Sequence, residues 1–313
     1  FTNRRSFNRI LMTKEKVLIT GASGSLAKRV ILILPSNKYE VVCLTTNPKK
    51  VNNKSIFYWN VSKQEIDEEA LKNCQHIIHL AGYNIMNSWT TKNRQLMYSS
   101  RVNAAQLLYE RCLSLDVRPK TFITASAIGY YGHVEGHVCK ESDFHGSGWL
   151  CDMCVDWEKA GQQFDTLGSR VVQMRISLLL SKKAGFLKPT TLSMKLGVAI
   201  VFGRGNQPFE WMHIDDVASF AKYAMETDSI FGPYNMASPQ KYLQYAFMKA
   251  LKQKIASYAI IVKLPSWFLE ILFGKRREIL ECGSAMSSQK LIDSAFSLKY
   301  PNLESVIKKE FNR

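Results

Sequence analysis

The sequence has no apolar run long enough to cross a bilayer. The longest such stretches, of which residues 265–273 are an example, are short and interrupted by polar side chains, whereas a membrane-spanning helix needs about 20 predominantly apolar residues. No secretory hydrophobic region precedes the first predicted strand. We therefore expect no membrane partner.

Cysteine is sparse and shows no pairing pattern. The chain has seven cysteines, an odd number spread over segments predicted as strands and helices, which is typical of reduced thiols in a cytoplasmic protein. Cys151 and Cys154 form a single C-x-x-C motif without a second pair or a nearby histidine cluster. We interpret them as helix-packing residues and expect no metal site.

Acidic residues are scarce, above all near the N-terminus. The formal net charge is +16, and residues 1–64 contain twelve Lys or Arg against two acids. Such a surplus attracts polyanions, but no nucleic-acid-binding motif accompanies it, so we predict no nucleic-acid partner. Much of the surplus surrounds a glycine-rich turn, where it would attract an anionic cofactor: Lys14, Lys16, Lys28, Arg29, Lys49 and Lys50.

Residues 16–29 organise the rest of the chain. An apolar, β-branched run breaks into small residues and resumes with helix formers, which is the pattern of a strand, a phosphate loop and a helix N-terminus. The first glycine permits the tight turn, the second lets backbone approach a pyrophosphate, and the helix N–H groups face the anion. A second buried strand, 40–45, follows at βαβ spacing. We expect Gly21, Ser23, Gly24, Ser25 and Leu26 to bind the cofactor.

Strand-like and helix-like segments alternate from residue 13 to 180, which predicts a Rossmann-type, doubly wound parallel α/β sheet. Segment 64–71 is predicted as an exposed acidic helix. Strand 76–82 ends in Leu80, Ala81 and Gly82, where the backbone passes close to the cofactor. We divide the chain into an extra or disordered N-terminal segment, 1–12, an NAD(P)-binding domain, 13–232, and a small, mostly helical substrate-side lobe, 233–313.

The end of the second strand lacks the acid that holds the ribose 2′-OH of NAD. Thr45 and Thr46 stand there instead, and basic residues nearby are able to approach a 2′-phosphate. The basic residues in question are Lys28, Arg29, Lys49 and Lys50. The pattern favours NADP, with NAD also possible.

Several motifs, in this order, resemble the extended short-chain dehydrogenase/reductase superfamily. The chain is similar to its atypical branch of epimerase-like proteins with a short C-terminal domain of unknown function, often described as nucleoside-diphosphate-sugar epimerases or cell-division-inhibitor-like proteins. The motifs lie at residues 21–27, 79–82, 100–101, 129–132, 156–158, 211–216, 233–235 and 291–300. The resemblance implies a dinucleotide across the strand ends, with Asn60 and Arg101 among its contacts, and a small-molecule cleft under the C-terminal lobe.

The superfamily's catalytic Tyr-x-x-x-Lys pair is absent. Aligned on the Trp157-Glu158 motif, its two positions are Leu150 and Cys154, neither of which can move a proton as an activated tyrosine does. The candidates for catalysis that the resemblance leaves are Ser126, Tyr130 and Tyr131. The two tyrosines alternatively serve to shape the turn before Gly132.

The remaining polar residues allow more than one role. Arg101, in an otherwise apolar helix, either reaches the surface or meets a buried anion. We interpret His213 as a satisfied, half-buried histidine rather than a substrate contact, and Asp215 and Asp216 as helix caps or catalysts. Two functions remain open: an NADP-dependent oxidoreductase or epimerase acting on an unknown small molecule, and a nucleotide-binding protein that regulates partner contacts without turnover.

Overall fold

The structure, a computed structural model, describes residues 14–281 and 283–311. The segment predicted to be extra, 1–12, lies outside these residues. At the centre is an eight-stranded sheet with helices on both faces, so the predicted doubly wound α/β fold is confirmed.

In chain order, the strands formed by the described residues are β1 Glu15–Thr20, β2 Tyr39–Thr45, β3 Ile56–Asn60, β4 Glu65–Ile66, β5 Cys74–His79, β6 Thr121–Ala127, β7 Val138–Cys139, β8 Arg170–Ile176, β9 Leu178–Ser181, β10 Ala184–Gly185, β11 Val198–Phe202, β12 Trp211–His213, β13 Gly232–Met236, β14 Ile260–Leu264 and β15 Ala285–Met286. The helices are α1 Ser25–Ile33, α2 Thr91–Tyr98, α3 Ala104–Ser114, α4 Trp149–Gln162, α5 Leu187–Lys195, α6 Ile214–Glu226, α7 Gln244–Ile255, α8 Ser266–Phe273, α9 Arg277–Glu281, α10 Gln289–Asp293 and α11 Leu303–Phe311. A π-helical turn, Ser99–Asn103, joins α2 to α3.

The central sheet has the strand order β13-β8-β6-β5-β1-β2-β3-β4. Its neighbouring strands pair in parallel, except β4, which is antiparallel to β3. Strand order reverses beside β1, and ligands of open α/β sheets bind at such a switch point, outside the carboxyl ends of the strands.

The central strands are buried on both faces, which explains their continuous apolar sequence. On β1, Val17 and Ile19 belong to the core shared with α1 and α6, while Leu18 belongs to the core shared with α3 and α4. All three side chains are fully buried. The alternation of side chains along the strand therefore holds one layer of helices on each face.

Segment 64–71 is not the helix that the sequence predicts. It begins at Gln64, which ends the preceding 3₁₀ turn in the left-handed region with φ of 56°, and continues as the short strand β4 and a second 3₁₀ turn. The Asp67 side chain accepts a hydrogen bond from Glu69 N. Such local side-chain bonds compete with helix formation and favour turns.

The C-terminal lobe is built from two stretches of chain. Its core combines α5, β11 and the strand residue Trp211 with α7 and α11, and the short sheets β10-β9-β12 and β11-β14 support it. Strand β13, by contrast, is the edge of the central sheet, with Gly232 paired to Val172. The chain therefore contributes to the lobe before β13 returns to the central sheet, and the division of the chain at residues 232 and 233 stays a prediction. No helix in the described ranges is long and apolar enough to span a bilayer.

Candidate cofactor and active site

The turn after β1 requires glycine at its first position. Gly21 has φ of +71°, and a Cβ atom there would lie 2.6 Å from the carbonyl oxygen of Leu80 and 2.8 Å from Ala81 N. Gly24 N closes the turn by donating to Gly21 O at 2.8 Å. The structure thus brings the glycine turn against the end of β5, where the sequence predicted both to meet the cofactor.

Helix α1 begins without any side chain that satisfies its first N–H groups. Its N-cap is Gly24, no side chain caps it, and its first turn carries no acid. Ser23, Gly24 and Ser25 are exposed, and Leu26 is half-buried. Because the first N–H groups of a helix have no intrahelical acceptor and lie at the positive end of its dipole, this end of α1 fits the pyrophosphate of a dinucleotide.

A buried threonine that was not predicted as a site residue joins the ends of β1 and β5. Thr20 Oγ1 accepts hydrogen bonds from Leu80 N at 3.0 Å and Ala81 N at 3.1 Å, and lies 2.8 Å from His79 Nδ1. His79 Nε2 lies 3.2 Å from the carbonyl oxygen of Arg101. This network assigns the ring proton to Nε2, and the threonine hydroxyl donates to Nδ1. The signal in the sequence is a hydroxyl residue directly before the first glycine.

The His79 imidazole predicts an acid-sensitive contribution to folding. Burial lowers its pKa to about 4, below the ordinary histidine value of about 6.5. The unfolded chain therefore takes up this proton first, so the contribution is present above pH 6.5 and is lost as the pH falls towards 4. Between pH 7.5 and 5.0 we expect a loss of roughly 2 kcal/mol in unfolding free energy from this group, at about 1.36 kcal/mol per pH unit.

Urea unfolding at both pH values measures this loss. The variant His79→Asn should show the smaller dependence on pH, whereas the exposed control His145→Asn should keep the wild-type dependence. An equal pH dependence in wild type and His79→Asn would contradict the assignment.

Arg101 is partly exposed, and no carboxylate of the described residues forms an ion pair with it. From the π-helical turn its guanidinium donates to the carbonyls of Tyr83 and Met97, each at 3.0 Å, and lies 5.1 Å from the ring centroid of Trp157. A Cβ atom on Gly82 would approach it to 3.0 Å. Arg101 therefore also contacts the chain that follows β5, and the two alternatives predicted from the sequence stay open.

The carboxyl end of β2 has no acid, as the sequence indicated. Thr45 Oγ1 accepts from Asn47 N, and the Asn47 side chain caps the 3₁₀ turn Pro48–Lys50. Thr46, Lys49 and Lys50 are exposed there. The turn therefore places two lysines just beyond the strand end.

Two of the basic residues expected around the turn are engaged elsewhere. The Nε atom of Arg29 lies 3.2 Å from an Asp215 carboxylate oxygen on α6, and the Lys16 ammonium donates to the carbonyls of Glu69 and Lys72. Asn60 caps a turn through its side chain, which accepts from Lys63 N at 3.3 Å and from Ser62 Oγ at 2.8 Å. The sequence could not show the partners of Arg29 and Lys16, because those partners lie far along the chain.

Helix α4 presents its two substituted positions to the turn after β6. A Cβ atom on Gly129 would lie 3.0 Å from Leu150 Cγ and 3.6 Å from Cys154 Sγ. The thiol is fully buried, and burial raises the pKa of Cys154 to about 12. A neutral buried thiol and an aliphatic side chain cannot exchange a proton with substrate, so this helix lacks the family's acid–base pair.

Ser126 and Tyr131 belong to a buried polar network. Ser126 Oγ donates to Glu158 at 2.6 Å, and Glu158 forms a two-pronged pair with Arg175, with N–O distances of 2.9 and 2.8 Å. Arg175 also donates to the Tyr131 hydroxyl at 2.8 Å, and that hydroxyl donates to Asn235 Oδ1 at 2.7 Å. Burial raises the pKa of Tyr131 to about 12.

The hydroxyls of Ser126 and Tyr131 are buried and already paired within this network, and the catalytic role expected of them stays a prediction. Glu158, Arg175 and Asn235 were not singled out as site residues, although two of them lie in or beside family motifs. A charged residue at the carboxyl end of a buried strand, as Arg175 is, was the available signal.

Tyr130 differs from its neighbour. It is half-buried, its ring centroid lies 3.5 Å from the Arg175 guanidinium carbon, and its hydroxyl has no hydrogen-bond partner within the part of the chain that the structure describes. The ring is thus held in place by a cation–π contact while the hydroxyl remains available. Of the three catalytic candidates, only Tyr130 has a hydroxyl without a hydrogen-bond partner among the described residues.

His213, Asp215 and Asp216 have structural partners. His213 is fully buried, with Nε2 2.9 Å from Glu310, and its Nδ1 accepts from Asp215 N at the start of α6. Asp216 is fully buried and accepts from the backbone N–H groups of Lys299 and Tyr300. His213 has the partners expected of a satisfied histidine, but it is fully buried rather than half-buried as predicted. Asp215 pairs with Arg29.

The six described cysteines are free and buried, at positions 43, 74, 112, 139, 151 and 154. Cys151 and Cys154 pack inside α4. Of these cysteines, Cys139 lies with His137 and Asp143 in a group whose donor atoms are within 4.8 Å of one another. His137 Nε2 already lies 2.6 Å from an Asp143 oxygen.

The fold and the uncapped glycine turn define a dinucleotide-binding α/β protein. A family model described as the NAD dependent epimerase/dehydratase family matches residues 17–237. The chain therefore belongs to the NAD dependent epimerase/dehydratase family.

Relatives agree with this membership over nearly the whole chain. An epimerase family protein of Staphylococcus aureus (strain N315) is 27% identical over 303 residues, covering 94% of this chain and 98% of the relative. The epimerase family protein YfhF of Bacillus subtilis (strain 168) is 29% identical over 291 residues, covering 92% and 95%. The crystal structure of the human epimerase family protein SDR39U1 (isoform 2) with NADPH superposes with a TM-score of 0.83 at 21% identity, covering 95% of this chain and 99% of that one.

Proposed function

We propose that the chain is an NADP(H)-binding oxidoreductase-like or epimerase-like enzyme acting on a small molecule, with the Tyr130 hydroxyl as its proton-transfer group. The observation that carries this proposal is the available hydroxyl of Tyr130, which lies at the carboxyl end of β6, in the turn that faces Leu150 and Cys154 of α4. It stands beside the helix where relatives in the superfamily carry their catalytic tyrosine.

The proposed cofactor is supported by the shape and charge of the strand ends. Gly21 and the uncapped start of α1 fit a pyrophosphate. Thr20 and Arg101 contact the chain after β5, which consists of Leu80, Ala81 and Gly82. At the end of β2, the acid-free Thr45 and Thr46 together with Lys49 and Lys50 favour a 2′-phosphate over a free 2′-OH. The related human structure holds NADPH. Such a dinucleotide, when bound, supplies hydride transfer.

Cofactor preference gives a direct test. At equal concentration NADPH should raise the melting temperature more than NADH, because a ligand that binds only the folded state stabilises it by RT ln(1 + [L]/Kd). In the double variant Lys49→Gln/Lys50→Gln, the rise in melting temperature with NADPH should exceed the rise with NADH by less than in the wild type. A matched double variant in the lobe, Lys188→Gln/Lys249→Gln, removes the same charge and should show the same difference between the two cofactors as the wild type. An equal or reversed response of the wild type would overturn the NADP assignment.

The chemistry proposed for Tyr130 is proton transfer to or from a substrate oxygen. Its ring is clamped by the Arg175 guanidinium, which in turn is fixed by Glu158, so the hydroxyl is presented without losing its freedom to hydrogen-bond a ligand. Arg175 is thus a positioning residue for Tyr130. General acid–base assistance of this kind typically contributes about 10²–10⁴-fold to rate.

The catalytic test compares two phenylalanine variants across a panel of carbonyl and sugar-nucleotide substrates, with NADPH oxidation as the readout. Tyr130→Phe keeps the ring on Arg175 and should lower kcat by about 10²–10⁴-fold with unchanged thermal stability. Tyr131→Phe removes a buried hydrogen-bonding hydroxyl, and its main effect should be a lower thermal stability rather than a lower kcat. Turnover that survives Tyr130→Phe would reject the assignment.

A second candidate function is a nucleotide-binding regulator, in which the dinucleotide controls contacts with a partner and no turnover occurs. One observation favours it, the replacement of the acid–base pair by Leu150 and Cys154. Cofactor binding without turnover on any substrate of the panel would favour this function. Substrate-dependent oxidation of NADPH above the cofactor-only rate would exclude it.

A further inference from the structure

A second cleft lies on the side of the molecule formed by α2, the π-helical turn and the start of α4. Its volume is about 430 Å³, and no carboxylate lines it. Ser99 and Asn103 of the π-helical turn face this cleft, whereas Arg101 of the same turn contacts Gly82. No residue of the β1–α1 turn contributes to it. The cleft is therefore separate from the dinucleotide site, and nothing in the proposed function uses it.

The charge in this cleft comes from Arg94. Its guanidinium carbon lies 5.0 Å from the ring centroid of Trp149 and 5.7 Å from that of Trp89. The two indoles contact each other with centroids 5.0 Å apart, and Trp89 is fixed because its indole N–H donates to the carbonyl of Ile85 at 2.9 Å. Two aromatic rings thus hold the guanidinium in one place.

Arg94 has no hydrogen-bond acceptor in the described part of the chain. Its Nε atom is buried without a partner. No carboxylate oxygen of the described residues lies within 4.0 Å of a guanidinium nitrogen of Arg94, the limit for an ion pair. Asp156, which does not line the cleft, accepts a hydrogen bond from the hydroxyl of the cleft residue Tyr98 at 3.0 Å. An aromatic ring face attracts the cation but accepts none of its five N–H groups well, so a buried donor remains unsatisfied.

We propose that this cleft binds a small, planar organic carboxylate, with the carboxylate on Arg94 and the planar body against Trp149 and Tyr98. The guanidinium fork matches the two oxygens of a carboxylate. Trp149 and Tyr98 provide apolar ring surface for the rest of the ligand, and Thr91 and Ser99 supply small polar groups at the rim. This site lies outside the dinucleotide cleft and takes a different class of ligand.

The experiment is calorimetric titration of the full chain, saturated with NADPH, with benzoate. Benzoate should bind saturably, and its neutral isostere benzamide should bind at least about tenfold more weakly, because a charge-assisted hydrogen bond is lost. The Arg94→Gln variant should bind benzoate at least about tenfold more weakly than the wild type. The control Arg118→Gln removes the same charge from an exposed arginine and should leave the affinity unchanged. Trp149→Leu should also weaken binding.

Three results would overturn the proposal. The first is the absence of saturable heat up to roughly 50 mM benzoate, well above the millimolar affinity of weak ligands. The second is equal affinity for benzamide or for the Arg94→Gln variant. The third is a dimer in sedimentation velocity that dissociates in Arg94→Gln, which would show that the acceptor is a carboxylate of a second copy of the chain.

Discussion

Replacing Ser25 by glutamate is expected to abolish the stabilisation of the protein by NADPH. Ser25 is exposed at the first position of α1, where the pyrophosphate is proposed to bind. A carboxylate there repels the phosphates and competes for the same N–H groups. At a ligand concentration of about 100 Kd the wild type gains about 2.7 kcal/mol, and the variant should lose essentially all of it.

The same substitution should act in the opposite direction on the ligand-free protein. A negative charge in the first turn of a helix interacts favourably with the helix dipole, by about 0.3–1 kcal/mol, and α1 has no acid there now. Loss of the NADPH shift therefore cannot be attributed to a failure to fold.

Thermal unfolding with and without NADPH measures both effects. The neutral variant Ser25→Gln, of the same shape, is the control and should retain most of the shift. If Ser25→Glu kept the wild-type shift, the start of α1 would not be the phosphate site. Equal losses in the glutamate and glutamine variants would show that bulk, not charge, is responsible.

Breaking the buried pair between Glu158 and Arg175 is expected to cost about 3–5 kcal/mol of unfolding free energy, because the remaining charge is left uncompensated in the interior. The side chains are 11% and 3% exposed, respectively. The pair joins α4 to β8 and also holds Ser126, Tyr130 and Tyr131, so its loss should disturb the whole strand-end network.

A double-mutant cycle isolates this coupling. Glu158→Leu and Arg175→Met should each be strongly destabilising in urea unfolding, whereas the double variant should be less destabilised than the two effects added together. Arg118→Gln, which breaks an exposed ion pair with Asp116, should leave stability unchanged within error. Additive effects of the two core substitutions would show that the pair is not energetically coupled.

The parts of the site that are local in sequence were predictable. Gly21 and Gly24 stand between an apolar strand and a helix, and the need for positive φ at the first of them is a property of that turn alone. The sheet likewise follows from the alternation of strands and helices, since each buried strand is apolar on both faces. The absence of an acid at Thr45 and Thr46, and of the catalytic pair at Leu150 and Cys154, could be read directly from residue types.

The roles of charged and polar side chains were not predictable in this way. Arg29 was expected to serve a cofactor phosphate but pairs with Asp215, and Arg101 was expected at the surface or on an anion but donates to the Tyr83 and Met97 carbonyls. Segment 64–71 was predicted as a helix from its composition, yet side-chain capping at Asp67 favours turns. For Arg29 the partner lies far along the chain, where the local pattern does not specify it.

The sequence by itself determined the fold class, the family and the position of the glycine turn, because these depend on periodicity, residue size and backbone conformation over short stretches. Only the tertiary structure decided which hydroxyl remains available at the strand ends. Tyr130 and Tyr131 are adjacent and chemically identical in the sequence. Asn235 lies 104 residues from Tyr131 and takes its hydroxyl, while Arg175 holds the ring of Tyr130 and leaves its hydroxyl available for a ligand. Hydrogen-bond partners are set by which strands become neighbours, and that is a property of the assembled sheet.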